Sequence, residues 1–180
     1  MSIDLALLGG NTQFYKPSIE ALQFFRHTSR TTFGVRGQFQ FIAPVRGTTS
    51  LPIFEKLVSG GENSVRGFDI RSIGPSDPNT GLVLGGNKSL VFNAEYMFSI
   101  VPQVRLIAFY DAAQVLSERQ SLALRHFRTS TGAEIRFFMP VLNVPFRLIF
   151  AMNPQREGVR DNQLRPAKNF VFRFAVGSTF

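Results

Sequence analysis

A chain of 180 residues with a hydrophobic fraction of 44% suits one domain. Twenty Phe beside three Tyr and no Trp favour strands, and the lack of Cys excludes disulfides and thiolate metal sites. The net charge of +8 invites a nucleic-acid reading, but the cations are spread singly along alternating segments rather than clustered, which argues against it. No apolar run reaches the roughly eighteen residues that a transmembrane helix needs. Met1-Ser2-Ile3-Asp4 shows no basic segment followed by an apolar stretch, so the chain is either cytosolic or the continuation of a longer product.

In chain order, Met1 to Leu8 is short and mostly apolar, the expected end of a strand, and Gly9-Gly10-Asn11-Thr12 breaks it. Ser18 to Arg26 is a second strand with a blurred period. From Thr31 to Phe41 the period is clear: Phe33, Val35, Phe39 and Phe41 share one face, while Thr32, Arg36, Gln38 and Gln40 share the other. Such alternation predicts a half-buried strand. Pro44 stops the ladder, and a long insertion, 44–88, follows. Within it, Gly60-Gly61-Glu62-Asn63-Ser64-Val65-Arg66-Gly67-Phe68-Asp69 has no period at all. Paired glycines allow close approaches that other residues cannot make, and Val65-Arg66-Gly67-Phe68 sets one cation between a glycine and apolar side chains. On composition alone this stretch is either an idle surface connection or a loop held in place.

Alternation then resumes. Leu90, Phe92, Ala94, Tyr96 and Phe98 oppose Val91, Asn93, Glu95 and Met97; Ile100-Val101-Pro102-Gln103 turns; Val104, Leu106, Ala108 and Tyr110 oppose Arg105, Ile107, Phe109 and Asp111. After a polar connection from Ser117 to Arg125, Phe127 to Phe138 alternates, with Arg128, Glu134 and Arg136 on its polar face. Phe146, Leu148, Phe150 and Met152 face away from Arg147, Ile149, Ala151 and Asn153, and the charged loop Gln155 to Lys168 follows. The terminal strand, 169–180, sets Phe170, Phe172, Phe174, Val176 and Phe180 against Val171, Arg173, Ala175 and Gly177.

Long polar connections alternate with short ones, and strand segments of about ten residues are the pattern of a transmembrane β-barrel. The charges Arg36, Arg105, Arg128, Arg136, Arg147 and Arg173, with Glu95, Asp111 and Glu134, all lie on one face. An apolar, Phe-rich face opposite suits lipid outside and water or a plug inside. The expected fold is therefore all-β: an antiparallel up-and-down barrel portion of about eight strands with a long inward loop. A soluble β-sandwich binding protein is the alternative, since it too alternates.

Chemistry motifs are sparse. His27 and His126 are the only histidines, and no nucleophile elbow, phosphate loop, zincin helix or calcium loop occurs. Glu95 and Asp111 could form an acid/base pair, but inward carboxylates facing inward arginines serve more simply as counter-charges. No catalytic residue, metal or cofactor is expected, and the protein is not read as an enzyme.

The ordered series from Gly60 to Phe68, then Ile73-Gly74-Pro75, Gly85-Gly86-Asn87, Ala94-Glu95-Tyr96, Phe109-Tyr110-Asp111, Met139-Pro140 and the aromatic end Phe172 to Phe180, resembles the barrel of the BamA/TamA-type outer-membrane assembly-factor superfamily (bacterial surface antigen family). The resemblance implies that residues 1–180 are the C-terminal half of a sixteen-stranded barrel in the bacterial outer membrane. It implies that Val65, Arg66, Gly67 and Phe68 form a latch folded into the lumen, with Glu95 and Asp111 as wall partners of Arg66. It further implies that Phe172, Phe174, Val176 and Phe180 carry the terminal recognition signal. Implied partners are outer-membrane lipid, client β-barrel proteins and, in the full-length protein, accessory assembly lipoproteins. The implied function is assistance in folding and inserting other barrels, or alternatively a translocation pore or passenger-fused barrel tail of the same superfamily. Eight strands closed on themselves leave room only for side chains, so a loop of roughly forty residues requires a larger barrel, and the chain reads as part of one.

Overall fold

Each alternating segment folds as an antiparallel strand of one sheet. The computed structural model describes residues 2–6, 13–45, 51–139 and 144–177. The strands are β1 (Ser2–Ala6), β2 (Phe14–Arg26), β3 (Thr31–Phe41), the short β4 (Ala43–Pro44), β5 (Lys88–Val101), β6 (Val104–Leu116), β7 (Arg128–Phe138), β8 (Pro145–Gln155) and β9 (Phe170–Val176). The order β1-β2-β3-β5-β6-β7-β8-β9 follows the chain, each strand pairing with its predecessor, and β4 pairs with β2. No helix is long and apolar enough to cross a membrane, which leaves strand crossing untouched.

Two boundaries move from the sequence reading. β2 begins at Phe14 rather than Ser18, because the Phe14↔Pro44 and Tyr15↔Ala43 pairs continue the Ser18↔Gln40 register past Pro17. Pro17 supplies no N–H and blurs the pattern at that point. The terminal strand ends at Val176, with Gly177 in a bend, and the aromatic end Phe180 lies outside the described residues, as do Pro140 and the Gly9–Thr12 break.

The faces divide as the alternation predicts. On β5, Val91, Asn93, Glu95 and Met97 are buried whereas Phe92, Tyr96 and Phe98 are exposed, and β8 buries Arg147, Ile149, Ala151 and Asn153 while exposing Leu148, Phe150 and Met152. Phe172, Phe174 and Val176 of β9 continue this outer face, with the Phe150 and Phe172 ring centroids 5.0 Å apart. A soluble sandwich must cover such a face with a second sheet. Among the described residues there is one sheet, and its Phe-rich face is bare. That overturns the sandwich alternative.

The insertion lies on the opposite, inner face. Leu57, Val65, Phe68 and Ile73 of the loop pack against Val91, Ala113 and Val115 of the strands. Towards the short-turn end, Met97, Ile107, Phe109, Ile149, Ala151 and Ala175 form a second apolar cluster contributed by strands alone. Among the described residues no ladder joins β1 to β9, so the sheet is an open one with a loop cradled in its concavity.

Candidate functional site: an ion lock between loop and wall

Arg66 is fully buried at the centre of this arrangement. The loop tip that carries it is shaped by Gly60 and Gly61, at φ of 105° and 102°, which permit the reversal closed by the Gly61 N–H to Phe68 carbonyl bond. The Arg66 Nε and Nη2 atoms donate to Asp111 Oδ2 and Oδ1 at 2.8 and 2.7 Å, and the Arg66 backbone N–H adds a bond of 3.1 Å to the same carboxylate. Nη1 donates to Glu95 Oε1 at 2.6 Å and to Glu134 Oε2 at 3.0 Å. The guanidinium also stacks on Phe109, with Cζ 3.9 Å from the ring centroid.

Glu134 is the residue that the sequence reading placed on the correct face but did not single out. It takes bonds from three arginines: Arg66, Arg136 (Nε to Oε1, 2.8 Å) and Arg147 (Nε to Oε1 and Nη2 to Oε2, both 2.8 Å). Arg136 and Arg147 are direct neighbours across β7 and β8, a like-charge pairing that is unfavourable without a counter-ion between them. Glu134 is that counter-ion. The buried set therefore contains three cations (Arg66, Arg136, Arg147) and three carboxylates (Glu95, Asp111, Glu134). A balanced, mutually bonded cluster of this kind is how full charge is tolerated away from water.

A second layer holds the loop by its backbone. Carbonyls of Glu62, Asn63, Ser64 and Gly67 accept bonds from Arg147 (3.3 Å), Arg36 (3.1 Å), Asn93 (2.6 Å) and Asn153 (2.8 Å), drawing on β8, β3, β5 and β8. The structure brings Arg66 against Glu95 and Asp111, with Val65 and Phe68 packed on the wall beside it and the Gly67 carbonyl bonded to Asn153. Phe172, Phe174 and Val176 do not join them: they face outward on β9. Asn93, Asn153, Arg147 and Phe109 were legible as inward residues, but their attachment to the loop depends on tertiary placement. Among the described residues no group of His, Cys, Asp or Glu is arranged to hold a metal ion.

Asp69, just past the latch, bonds Arg173 of β9 and accepts the Asn162 N–H at 3.0 Å, so it ties the long loop to the terminal strand and to the β8–β9 connection. Burial pushes its carboxyl up, but the Asn162 N–H and the Arg173 guanidinium outweigh that and hold it below the usual aspartate value. A lowered native value means that the tie is complete above about pH 4 and is lost as pH falls through the native value. Protection of the Asn162 amide against hydrogen exchange, corrected for intrinsic rate, is expected to fall across that acid range, and Asp69→Asn should remove the dependence.

An open antiparallel sheet with an apolar outer face and a loop ion-paired to its inner face defines part of a transmembrane β-barrel with an occupied lumen. The model for the Omp85 superfamily domain matches residues 1–180, and the chain belongs to that family, placing it in the outer membrane of Gram-negative bacteria. It is similar to the outer membrane protein assembly factor BamA of Nitratidesulfovibrio vulgaris, 26% identical over 179 residues, covering 96% of this chain and 21% of that protein. It is also similar to BamA of Neisseria meningitidis serogroup B, 28% identical over 123 residues, covering 64% of this chain and 15% of that protein. The chain thus spans about a fifth or less of the curated relatives it matches. The crystal structure of BamA from Haemophilus ducreyi lacking POTRA domains 1-3 shares the fold, with a TM-score of 0.76 at 19% identity over 97% of this chain and 37% of that one.

Proposed function

We propose that this chain is the C-terminal barrel portion of an outer-membrane assembly factor of BamA type, which assists folding and insertion of client β-barrel proteins. The observation that carries the reading is likeness to proteins of that name along 96% of the chain, joined to a lumen loop fixed by a six-membered ion cluster. The action is physical rather than catalytic. A client strand adds to an exposed sheet edge by backbone hydrogen bonds. β9 supplies such an edge, since among the described residues it pairs only with β8. The loop lock keeps the inner wall rigid while that edge exchanges partners, and lipid covers the Phe-rich outer face. Accessory lipoproteins would dock on parts of the full-length protein beyond this chain.

Depletion of the full-length protein in its own cells tests the reading. Other outer-membrane barrels are expected to lose their heat-modifiable folded form together. Loss of export of one secreted passenger, with general barrel assembly intact, would instead identify a translocation pore of the same superfamily.

A further inference from the structure

Charge is distributed unevenly along the inner face. Cross-strand register sets Arg26, Thr32, Met97, Ile107 and Glu134 in one inner row, and Ser99, Arg105, Arg136 and Arg147 in the next row towards the short turns. Glu134 is the last carboxylate in that direction: among the described residues beyond its row there is no Asp or Glu. Arg136 and Arg147 are neutralised inside the ion lock, but Arg26 and Arg105 are left over. Arg26 Nε reaches only the Thr28 carbonyl, at 3.4 Å, and the half-buried Arg105 guanidinium stands over the Phe138 ring with Cζ 4.9 Å from its centroid. Among the described residues neither belongs to an ion pair. A cavity of about 220 Å³ opens here, lined by Phe24, Thr32, Met97, Ser99, Arg105 and Arg136. The Phe24 ring and the Met97 methyl both lie against Gly34, which fixes the cavity on the inner face.

We propose that this cavity receives an acidic side chain of an unfolded client polypeptide at the short-turn mouth of the lumen. The position and the lining select the occupant. Short turns face the periplasm, the side from which a protein bound for the outer membrane must arrive, and the inner face of a barrel is closed to lipid. Strands of the kind seen in this chain carry single carboxylates between apolar residues, as Glu95 lies between Ala94 and Tyr96. Such a segment matches the cavity: the Arg105 fork takes the carboxylate, the Thr32 and Ser99 hydroxyls donate to it, and Phe24 and Met97 cover its apolar neighbour. Arg26, in the row of Thr32, adds to the field that draws an anion in. An ion pair open to water is weak, so the client is held briefly and released. The inference rests on the assembly-factor reading, but capture is measured on purified protein, so its failure is separate from the outcome of depletion in cells.

The test uses the full-length protein in nanodiscs, which leave both ends of the barrel open, and a benzophenone-tagged decapeptide of alternating Leu and Glu as the probe. Crosslinked sites are mapped by mass spectrometry. The probe is expected to label residues 24–32 and 97–105, and its Leu-Gln counterpart to label them about tenfold less. Arg105→Gln should reduce labelling about threefold and Arg26→Gln/Arg105→Gln about tenfold. Arg119→Gln/Arg160→Gln, an equal charge loss on the long-loop side, should leave it unchanged. Equal capture of the Leu-Gln peptide, capture indifferent to Arg26→Gln/Arg105→Gln, or labelling confined to other residues would overturn the proposal. Unfolding of Arg26→Gln/Arg105→Gln at clearly lower denaturant than the parent would overturn it too, by showing that the two arginines pair with the rest of the barrel. Displacement of the probe by an equal concentration of inorganic phosphate would identify a phosphate site instead.

Discussion

Replacing Arg66 by alanine is expected to destabilise the complete barrel by about 3–5 kcal/mol, the range for removing one partner from a buried ion pair. The cause is the company that Arg66 keeps. Asp111 loses both of its side-chain bonds from the guanidinium, Glu95 loses its 2.6 Å partner, and Glu134 keeps only Arg136 and Arg147. Three carboxylates then face two guanidiniums between two apolar clusters that admit little screening. Arg66→Lys restores the charge but not the planar fork that reaches Asp111 with two atoms and Glu95 and Glu134 with a third, so it should recover less than half of the loss. Denaturant unfolding of the complete barrel in detergent, read by gel mobility of the folded form, measures both. An Arg66→Ala loss within about 0.5 kcal/mol, the usual range for surface substitutions, would show that the guanidinium is not holding the loop.

The second large effect belongs to Gly67. A Cβ at this position would run into the Asn153 side-chain amide and stand 2.6 Å from Ser130 Oγ. Asn153 cannot swing away freely, because its Nδ2 donates to both the Gly67 and Lys168 carbonyls, at 2.8 and 3.0 Å. Gly67→Ala is therefore expected to cost about 1–3 kcal/mol through overpacking, and Gly67→Val more. Removing the obstacle should help: Gly67→Ala combined with Asn153→Ala should cost less than the sum of the two single changes. Additive losses would place the damage elsewhere than in this contact. The glycine is thus required by close approach to β7 and β8, since it is absent from the positive-φ glycines that include Gly60 and Gly61.

The lock was only partly legible in the sequence, for reasons specific to its residues. A period of two assigns faces and so turns Glu95 and Asp111 inward, while their pairing with Arg66 is what the family resemblance implies. The same period placed Glu134 inward, but its role as the anion shared by Arg66, Arg136 and Arg147 depends on β7 and β8 aligning Arg136 with Arg147. Register between strands is set by turns and packing that a single alternating pattern does not contain. The backbone clamp from Asn93 and Asn153 was hidden for the same reason: a carbonyl acceptor has no signature in the identity of its residue.

The most direct test of the ion lock is a double-mutant cycle between Arg66 and Asp111, the pair joined by two side-chain bonds. Arg66→Ala, Asp111→Ala and the double substitution are compared by denaturant unfolding of the complete barrel, with Arg66 and Glu20 as a reference pair, because Glu20 bonds Arg36 instead. A coupling of about 1–3 kcal/mol for Arg66 with Asp111, and none beyond about 0.5 kcal/mol for the reference pair, is the expected result. Additive losses for Arg66 and Asp111 would contradict a loop held to the barrel wall by that contact.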